Sequence, residues 1–280
     1  MLIRIPDKIY LKMLYWLRLW KRLNLEKPQT FSEKIQWLKI HDRNSAYSKM
    51  CDKYLVKEYV ANIIWKNYII PTLWIRNNPD EIEWDTLPNK FVLKCTHDSG
   101  SIIICENIDD FDRNKAMEKL RKSIKRKSFY QWREFAYKKI VPRIIAEEYM
   151  VDESGVELKD YKVFCFGGEP KIIQVDYGRF SNHKRNIYDL NRNFLPFEIL
   201  FPSDESHKIK KPKCLTEMLN LAKKLSDGIP FVRVDFYVIN EQIYFWETTF
   251  YPWNWMEEFT PIERDFELWE RINLPHIESK

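Results

Sequence analysis

Near its C-terminal end the chain runs Phe231-Val232-Arg233-Val234-Asp235-Phe236-Tyr237-Val238, turns at Asn240-Glu241-Gln242 and returns from Ile243 to Glu247. The alternation and the polar turn predict an antiparallel hairpin. Asp235 and Glu247 are equidistant from residue 241, so they are expected opposite one another on one face, about 5 Å apart. Arg233 and Thr249 share that face by the two-residue period. Two carboxylates inside an otherwise apolar hairpin repel each other, which restricts the folds that can carry them. Either Arg233 and a lysine neutralise both acids, or a divalent ion sits between them. An oxygen pair with room left for phosphate is how Mg²⁺ is commonly held.

The rest of the composition narrows the field. With 45% hydrophobic and 31% charged residues in 280, the chain has ample material for a core, and disorder, collagen and coiled coil are excluded. Only six glycines are present, so a Walker loop or a dinucleotide fingerprint has no place to sit. Cys51, Cys95, Cys105, Cys165 and Cys214 show no CxxC spacing and read as reduced, buried thiols of a cytoplasmic protein. Lys12 and Arg18 interrupt the one apolar stretch that approaches membrane-spanning length. The net charge of +5 is segregated: residues 113–139 carry +9, residues 1–23 carry +5, and the remainder sums to −9. The first block suits a solvated helix face, or contact with nucleic acid, lipid headgroups or an acidic glycan. In the second, Ile9, Met13, Trp16, Leu17, Trp20 and Leu23 form one helical stripe with Lys8, Lys12, Lys21 and Arg22 off it. That stripe is expected to pack against the protein's own body, although its composition also permits peripheral contact with a membrane face.

Thr30 and Glu33 have capping-box spacing and predict a helix over 30–43, with a second over about 49–62. Prolines 71, 79 and 88 mark a loop-rich passage. Phe91–Cys95 and Ile102–Cys105 predict a hairpin with a flexible polar tip, His97-Asp98-Ser99-Gly100-Ser101, followed by a basic helix over 113–127 and a strand over 143–149. A hinge is expected at 152–155. Two more strands, 161–166 and 171–176, precede a helix over about 214–226 and the acidic hairpin. The class is α+β with mostly antiparallel pairing, and the expected parts are an N-terminal helical region (1–88), a small α+β subdomain (89–150) and a C-terminal sheet (151–280).

Arg233-Val234-Asp235 followed by Glu247-Thr248-Thr249 resembles the R-x-D … E-x-N pattern that binds magnesium and γ-phosphate in ATP-grasp ligases. Asp52-Lys53-Tyr54-Leu55-Val56-Lys57 resembles their D-K-x-x-x-K helix start, and Phe91-Val92-Leu93-Lys94 their lysine-bearing strand. Residues 144–149 resemble the adenine-binding hinge strand. More narrowly, Thr30–Leu38, Lys94–Gly100, Asp160-Tyr161-Lys162 and Thr249-Phe250-Tyr251-Pro252 resemble the TupA-like ATP-grasp family, named for teichuronopeptide biosynthesis. The resemblance covers about residues 28–262.

This resemblance implies an ATP-grasp fold, with ATP and Mg²⁺ held between the small subdomain and the C-terminal sheet. Lys57 and Lys94 would neutralise the α- and β-phosphates, Ser99, Gly100 and Ser101 would close over them, and Glu147, Glu148, Tyr149 and Met150 would serve adenine largely through backbone groups. Lys162 joins the nucleotide residues, and Glu153 or Glu157 the ribose. Asp235, Glu247 and Thr249 would hold one or two metal ions, and Arg233 would face the γ-phosphate. Lys184 and Arg185 lie where related ligases carry a γ-phosphate lysine, and equally suit a solvated basic loop. His97 would contact phosphate or substrate, or act as a hydrogen-bonding spacer. Trp253 and Trp255, after Pro252, would either form a platform for a sugar ring or pack in the core. The implied reaction joins a carboxylate to an amine through an acyl phosphate, on a capsular or cell-surface sugar. The partners are small molecules rather than nucleic acid. A kinase acting on a hydroxyl would use nearly the same residues, and a glycosyltransferase or a non-catalytic glycan-binding module are the remaining alternatives.

Overall fold

A computed structural model describes residues 5–152, 158–178 and 182–275. Four helices open the chain: α1 (Asp7–Leu19), α2 (Phe31–His41), α3 (Ala46–Cys51) and α4 (Leu55–Ile64). Strand β1 (Thr72–Arg76) follows, then β2 (Phe91–Cys95), β3 (Ile103–Cys105), helices α5 (Arg113–Ser123) and α6 (Ser128–Trp132), and β4 (Ile144–Glu148). The second half holds β5 (Asp160–Phe166), β6 (Glu169–Tyr177), β7 (Lys184–Tyr188), β8 (Glu198–Ile199), α7 (Leu215–Ser226), β9 (Phe231–Ile239), β10 (Gln242–Thr249), β11 (Phe259–Thr260) and α8 (Glu263–Trp269). The class is α+β. Among the described residues no helix is long and apolar enough to cross a membrane.

Two sheets carry the architecture, one of four strands in the order β1-β4-β2-β3 and one of five in the order β10-β9-β5-β6-β7. Every pairing within them is antiparallel. Strand β1 was missed in the passage read as loop, because Pro71 and Asn77 bracket only five residues. It pairs with β4, so the smaller sheet draws an edge strand from ahead of residue 89. The expected helix over 49–62 is split into α3 and α4, with Asp52 at the break: its Oδ1 accepts the N–H groups of Tyr54 and Leu55 at 2.9 and 3.1 Å. Thr30 caps α2 by accepting from Glu33 N–H, but the Glu33 carboxylate turns to Asn24 N and Gln29 N instead of closing the box.

There are two cores. The smaller gathers Ile82, Leu87, Phe91, Leu93, Leu120, Ile144 and Ala146 under the four-stranded sheet. The larger joins the N-terminal helices to the five-stranded sheet, with Phe31 of α2 in ring contact with Phe166, Phe231 and Phe259. Each such buried ring contributes about 1.5–3 kcal/mol.

Helix α1 is rotated relative to expectation. Tyr10, Leu11, Tyr15 and Leu19 face the core, whereas Ile9, Met13, Trp16, Leu17 and Trp20 face solvent; of the expected stripe, only Leu23, beyond the helix, is buried. The helix has apolar residues on two faces, and the aromatic-rich one lost the competition for the core.

Candidate active site

The acidic hairpin forms as expected but by a different route. Its turn is two residues, Asn240-Glu241, both with positive φ, and Ile239 pairs with Gln242. Continued regularly, that register would set Asp235 against Trp246. The register shifts between Phe245 and Glu247, so Trp246 is extruded and Glu247 pairs with Asp235. The extruded indole lies under Lys94 of β2, whose Nζ is 3.7 Å from the ring centroid. The bulge therefore does two things: it aligns the acids and brings the two sheets together.

Arg233, rather than a gap, lies between the acids. Its Nε and Nη2 donate to the two Asp235 oxygens at 2.7 and 2.6 Å, Nη2 also reaches Thr249 Oγ1 at 3.3 Å, and Glu247 Oε1 is 3.5 Å away. Lys53 Nζ stands 3.7 Å from Glu247 Oε2. Burial pushes Asp235 up to about 7 against the pull of Arg233 and Lys162. For Glu247 burial also acts upward, but Lys53 and Arg233 prevail and hold it below the usual range.

Charges continue across the sheet. Lys162 pairs in register with Asp235 and makes ion pairs with Asp160 and, at 3.0 Å, with Asp176. Arg185 is fully buried, donating from Nε to Asp176 at 2.7 Å and from Nη1 to the Ile199 carbonyl at 2.6 Å. Lys184, its neighbour, points elsewhere, to Asp204 at 2.7 Å.

The facing sheet supplies a second cluster. Glu147, buried on β4, receives Lys57 at 2.6 Å and Lys94 at 2.5 Å. Lys57 also donates to the Ile70 carbonyl and Thr72 Oγ1, at 2.7 and 2.8 Å, which takes up its three donors. Burial lowers Lys94 to about 8 despite Glu147, and the two lysines hold Glu147 low despite its burial. The tip after β2 is tied rather than loose: Ser101 Oγ accepts from Cys95 N at 2.7 Å and donates to Asp98. Thr96 bonds to the Lys53 and Arg143 backbone, at 3.0 and 2.8 Å, so the loop and the Asp52-Lys53 turn move as one piece. His97 is buried, which lowers its pKa; Ser99 and Gly100 are exposed. Glu148, Tyr149 and Met150 lie at the end of β4, with the Tyr149 hydroxyl donating to Glu106 at 3.3 Å.

The structure thus gathers Arg233, Asp235, Glu247, Thr249, Lys162 and Arg185 on one face, opposite Lys94, Lys57 and Glu147. Lys184 is not part of it. Glu153, Glu157, the hinge at 153–155 and the side chains of Trp253 and Trp255 lie outside the described residues. Lys53, Asp160, Asp176 and Trp246 belong to the site although no role was read for them from sequence; Lys53 and Asp160 sit inside the quoted motifs and could have been found there. Among the described residues no three acidic, histidine or cysteine side chains converge as a metal cage. The donors at hand, two carboxylates and the Thr249 hydroxyl, are all oxygen. This fits Mg²⁺, which takes few protein ligands and completes its shell with water and phosphate, provided Arg233 releases Asp235.

A cleft of about 520 Å³ opens between the end of α1 and the loop after β10, lined by Arg18, Asn254, Glu257 and Glu258 among others. Glu257 is close enough to Arg185 and Arg233 to feel both, yet burial pushes it up to about 7, and its buried Oε2 has no hydrogen-bond partner among the described residues.

Residues 33–273 match the family model for TupA-like ATPgrasp. The chain belongs to the TupA-like ATP-grasp family. Its fold is accordingly the ATP-grasp fold, with Lys94 and Glu147 on the smaller sheet and the R-x-D … E-x-T hairpin on the larger. No curated protein matches. Among solved structures it is similar to D-alanine–D-alanine ligase from Helicobacter pylori (16% identity, TM-score 0.45, 85% of this chain and 66% of that one). It is also similar to the Bacillus anthracis enzyme complexed with ATP (11%, 0.42, 74% and 56%) and to Staphylococcus aureus N5-carboxyaminoimidazole synthetase complexed with ADP (15%, 0.41, 73% and 46%). The chain spans about half to two thirds of the length of these proteins.

Proposed function

We propose that this protein is an ATP-dependent carboxylate–amine ligase working through an acyl phosphate. The observation that carries the reading is the Asp235–Glu247 pair with Arg233, set opposite the Lys94–Glu147–Lys57 cluster. Asp235, Glu247 and Thr249 would hold Mg²⁺, which when bound with ATP neutralises phosphate charge. Arg233, freed from Asp235, meets the γ-phosphoryl group as charge develops on it. Lys94 and the backbone of the 97–101 loop hold the remaining phosphates, Lys53 adds positive charge between the two sheets, and the end of β4 receives adenine. A substrate carboxylate oxygen attacks the γ-phosphorus as the bond to the β-phosphate oxygen breaks, giving ADP and an acyl phosphate. An amine nitrogen then attacks the acyl carbon, phosphate departs with the bonding electron pair, and the amine loses a proton. The parts 1–88, 89–150 and 151–280 would act together in this, with β1 reaching from the first into the sheet of the second.

The cleft beside Arg185 and Glu257 is large enough for a sugar ring and is lined by polar groups, which supports a capsular or surface-glycan uronic acid and an amino acid or amino alcohol as the joined pair. The five buried thiols accord with a reducing cytoplasm, and the basic N-terminal helix with work at its membrane face. The test is ADP release with candidate uronic acids and amines, with hydroxylamine as the trap. A hydroxamate supports the ligase, a stable phosphorylated sugar would make the protein a kinase, and AMP with pyrophosphate would exclude the acyl-phosphate route.

A further inference from the structure

Helix α1 buries one apolar face and leaves another in water. Leu11, Tyr15, Tyr10 and Leu19 are 0–7% exposed, while Ile9, Met13, Trp16, Leu17 and Trp20 are 43–74% exposed. At 100° per residue these five fall within about a third of the helix circumference. Trp16 and Trp20 stand edge to face, with centroids 5.2 Å apart. Phe266, half exposed on α8, lies in the same groove as Lys21 and Arg22 and extends the patch. So many large apolar groups in one surface are costly to leave wet and need an occupant.

The charge around them selects it. Lys8, Lys12, Arg18, Lys21 and Arg22 are all exposed, and no acid occurs between residues 8 and 22. Asp7, the one acid of the helix, is held by Arg43 and Arg133 at 2.6 and 3.0 Å. A second copy of this chain would bring like charge onto like. From residue 8 to 22 the only charged residues flanking the indoles and aliphatic tips are basic, while the acids Glu257, Glu258 and Asp265 line the groove at Phe266. This matches an anionic bilayer, whose headgroup region accepts the rings while its phosphates meet the lysines.

We propose that the outward face of α1 is a membrane-docking surface, which seats Trp16, Trp20, Leu17, Met13 and Ile9 in the headgroup boundary of an anionic lipid leaflet. This stands apart from the ligase reading, since none of these side chains touches the site. It has a bearing on it, because Arg18 and Leu19 of the same helix wall the 520 Å³ cleft, so a docked protein holds that cleft beside the lipid surface.

The experiment is sedimentation of the full chain with phosphatidylcholine vesicles and with vesicles containing added phosphatidylglycerol. Binding is expected to the anionic vesicles, weakening roughly fivefold for each basic rim residue reversed in Lys8→Glu, Lys12→Glu and Lys21→Glu. The Trp16→Ser/Trp20→Ser variant should lose binding by at least tenfold with unchanged circular dichroism and unchanged ATP affinity. Failure of the wild type to bind anionic vesicles would overturn the proposal. So would undiminished binding by the double tryptophan variant, which would assign adhesion to the basic helix α5. A dimer in ultracentrifugation that the same variant abolishes would also overturn it, since a second copy would then cover the face. ATP turnover, measured without lipid, tests the ligase reading separately.

Discussion

Glu147→Gln is the most informative substitution because one carboxylate serves two lysines, the buried Lys94 and the partly buried Lys57. In the wild type Glu147 accepts Lys57 and Lys94 within 2.6 Å and is itself almost wholly buried. Neutralising it leaves the Lys94 ammonium facing the Trp246 ring, with Lys57 and Lys53 repelling it. Breaking a buried pair from one side costs about 3–5 kcal/mol, or about 5–8 °C in Tm for a chain of this size. Lys94 can limit that loss by giving up its proton. Its pKa, already lowered to about 8 by burial against the upward pull of Glu147, must fall further in the variant. The sign follows from linkage: a lysine depressed in the fold binds fewer protons there than when unfolded, so stability rises with pH from about 8 toward the unfolded lysine value near 10.4. In Glu147→Gln that rise starts at lower pH. ATP affinity moves the opposite way, weakening roughly tenfold or more at neutral pH and recovering on acidification as the ammonium returns. Differential scanning fluorimetry and ATP titration between about pH 6 and pH 9 read both effects. A Lys94→Met/Glu147→Leu pair should regain the part of the stability lost at Lys94, though not the part lost at Lys57, and none of the ATP affinity. A Glu147→Gln protein matching wild type in Tm and in ATP binding across that range would refute the reasoning.

Asp235→Asn and Glu247→Gln should each abolish ADP release, the first losing the more stability because Asp235 alone meets Arg233 through two hydrogen bonds; retained turnover in either would remove the metal role. In the wild type, ATP affinity measured by calorimetry should decline as pH rises through about 8, where Lys94 loses its charge; a flat profile would show that Lys94 does not touch phosphate. Trp246→Leu should cost about 1–2 kcal/mol by removing the partly buried ring under Lys94, visible as a lower urea midpoint with an unchanged m-value. Glu257→Gln should leave ATP affinity unchanged and weaken the second substrate, seen as a higher KM for the amine or the sugar.

The elements legible in the sequence were those written by short-range chemistry. Asp235 and Glu247 announced themselves because a charged residue inside an alternating apolar run has few explanations, and Thr30 because its cap needs only the next turn of helix. Lys94 was legible only through the resemblance of Phe91-Val92-Leu93-Lys94 to the lysine-bearing strand of ATP-grasp ligases. What escaped was decided at long range. The outward turn of α1 depends on which of two apolar faces fits the surface made by residues far along the chain, and periodicity cannot rank them. Trp246 looked like an ordinary strand aromatic, since a bulge leaves no mark in composition. The role of Arg233 was half seen: its place on the acidic face follows from the period, and neutralisation of the acids by Arg233 and a lysine was one of two readings, but which of the two the fold adopts is a matter of side-chain geometry. Lys53 meets Glu247 only when the turn between α3 and α4 docks on β10, and Asp176 meets Lys162 and Arg185 only when β5 and β7 pair on either side of β6.

The shared core between the first helices and the last strands also fixes an order of events during synthesis. Phe31 needs Phe231 and Phe259, Ser32 N–H needs the Asp265 carboxylate at 2.9 Å, and Lys34 bonds to the Ile272 carbonyl. None of these partners exists until the ribosome has passed residues 231–272. The smaller core, drawn from residues 73–146, can close while translation continues. Until those residues emerge, the nascent protein is therefore a folded small sheet preceded by a tail of unsheltered aromatic helices, the kind of surface that chaperones capture and that aggregates when they are scarce.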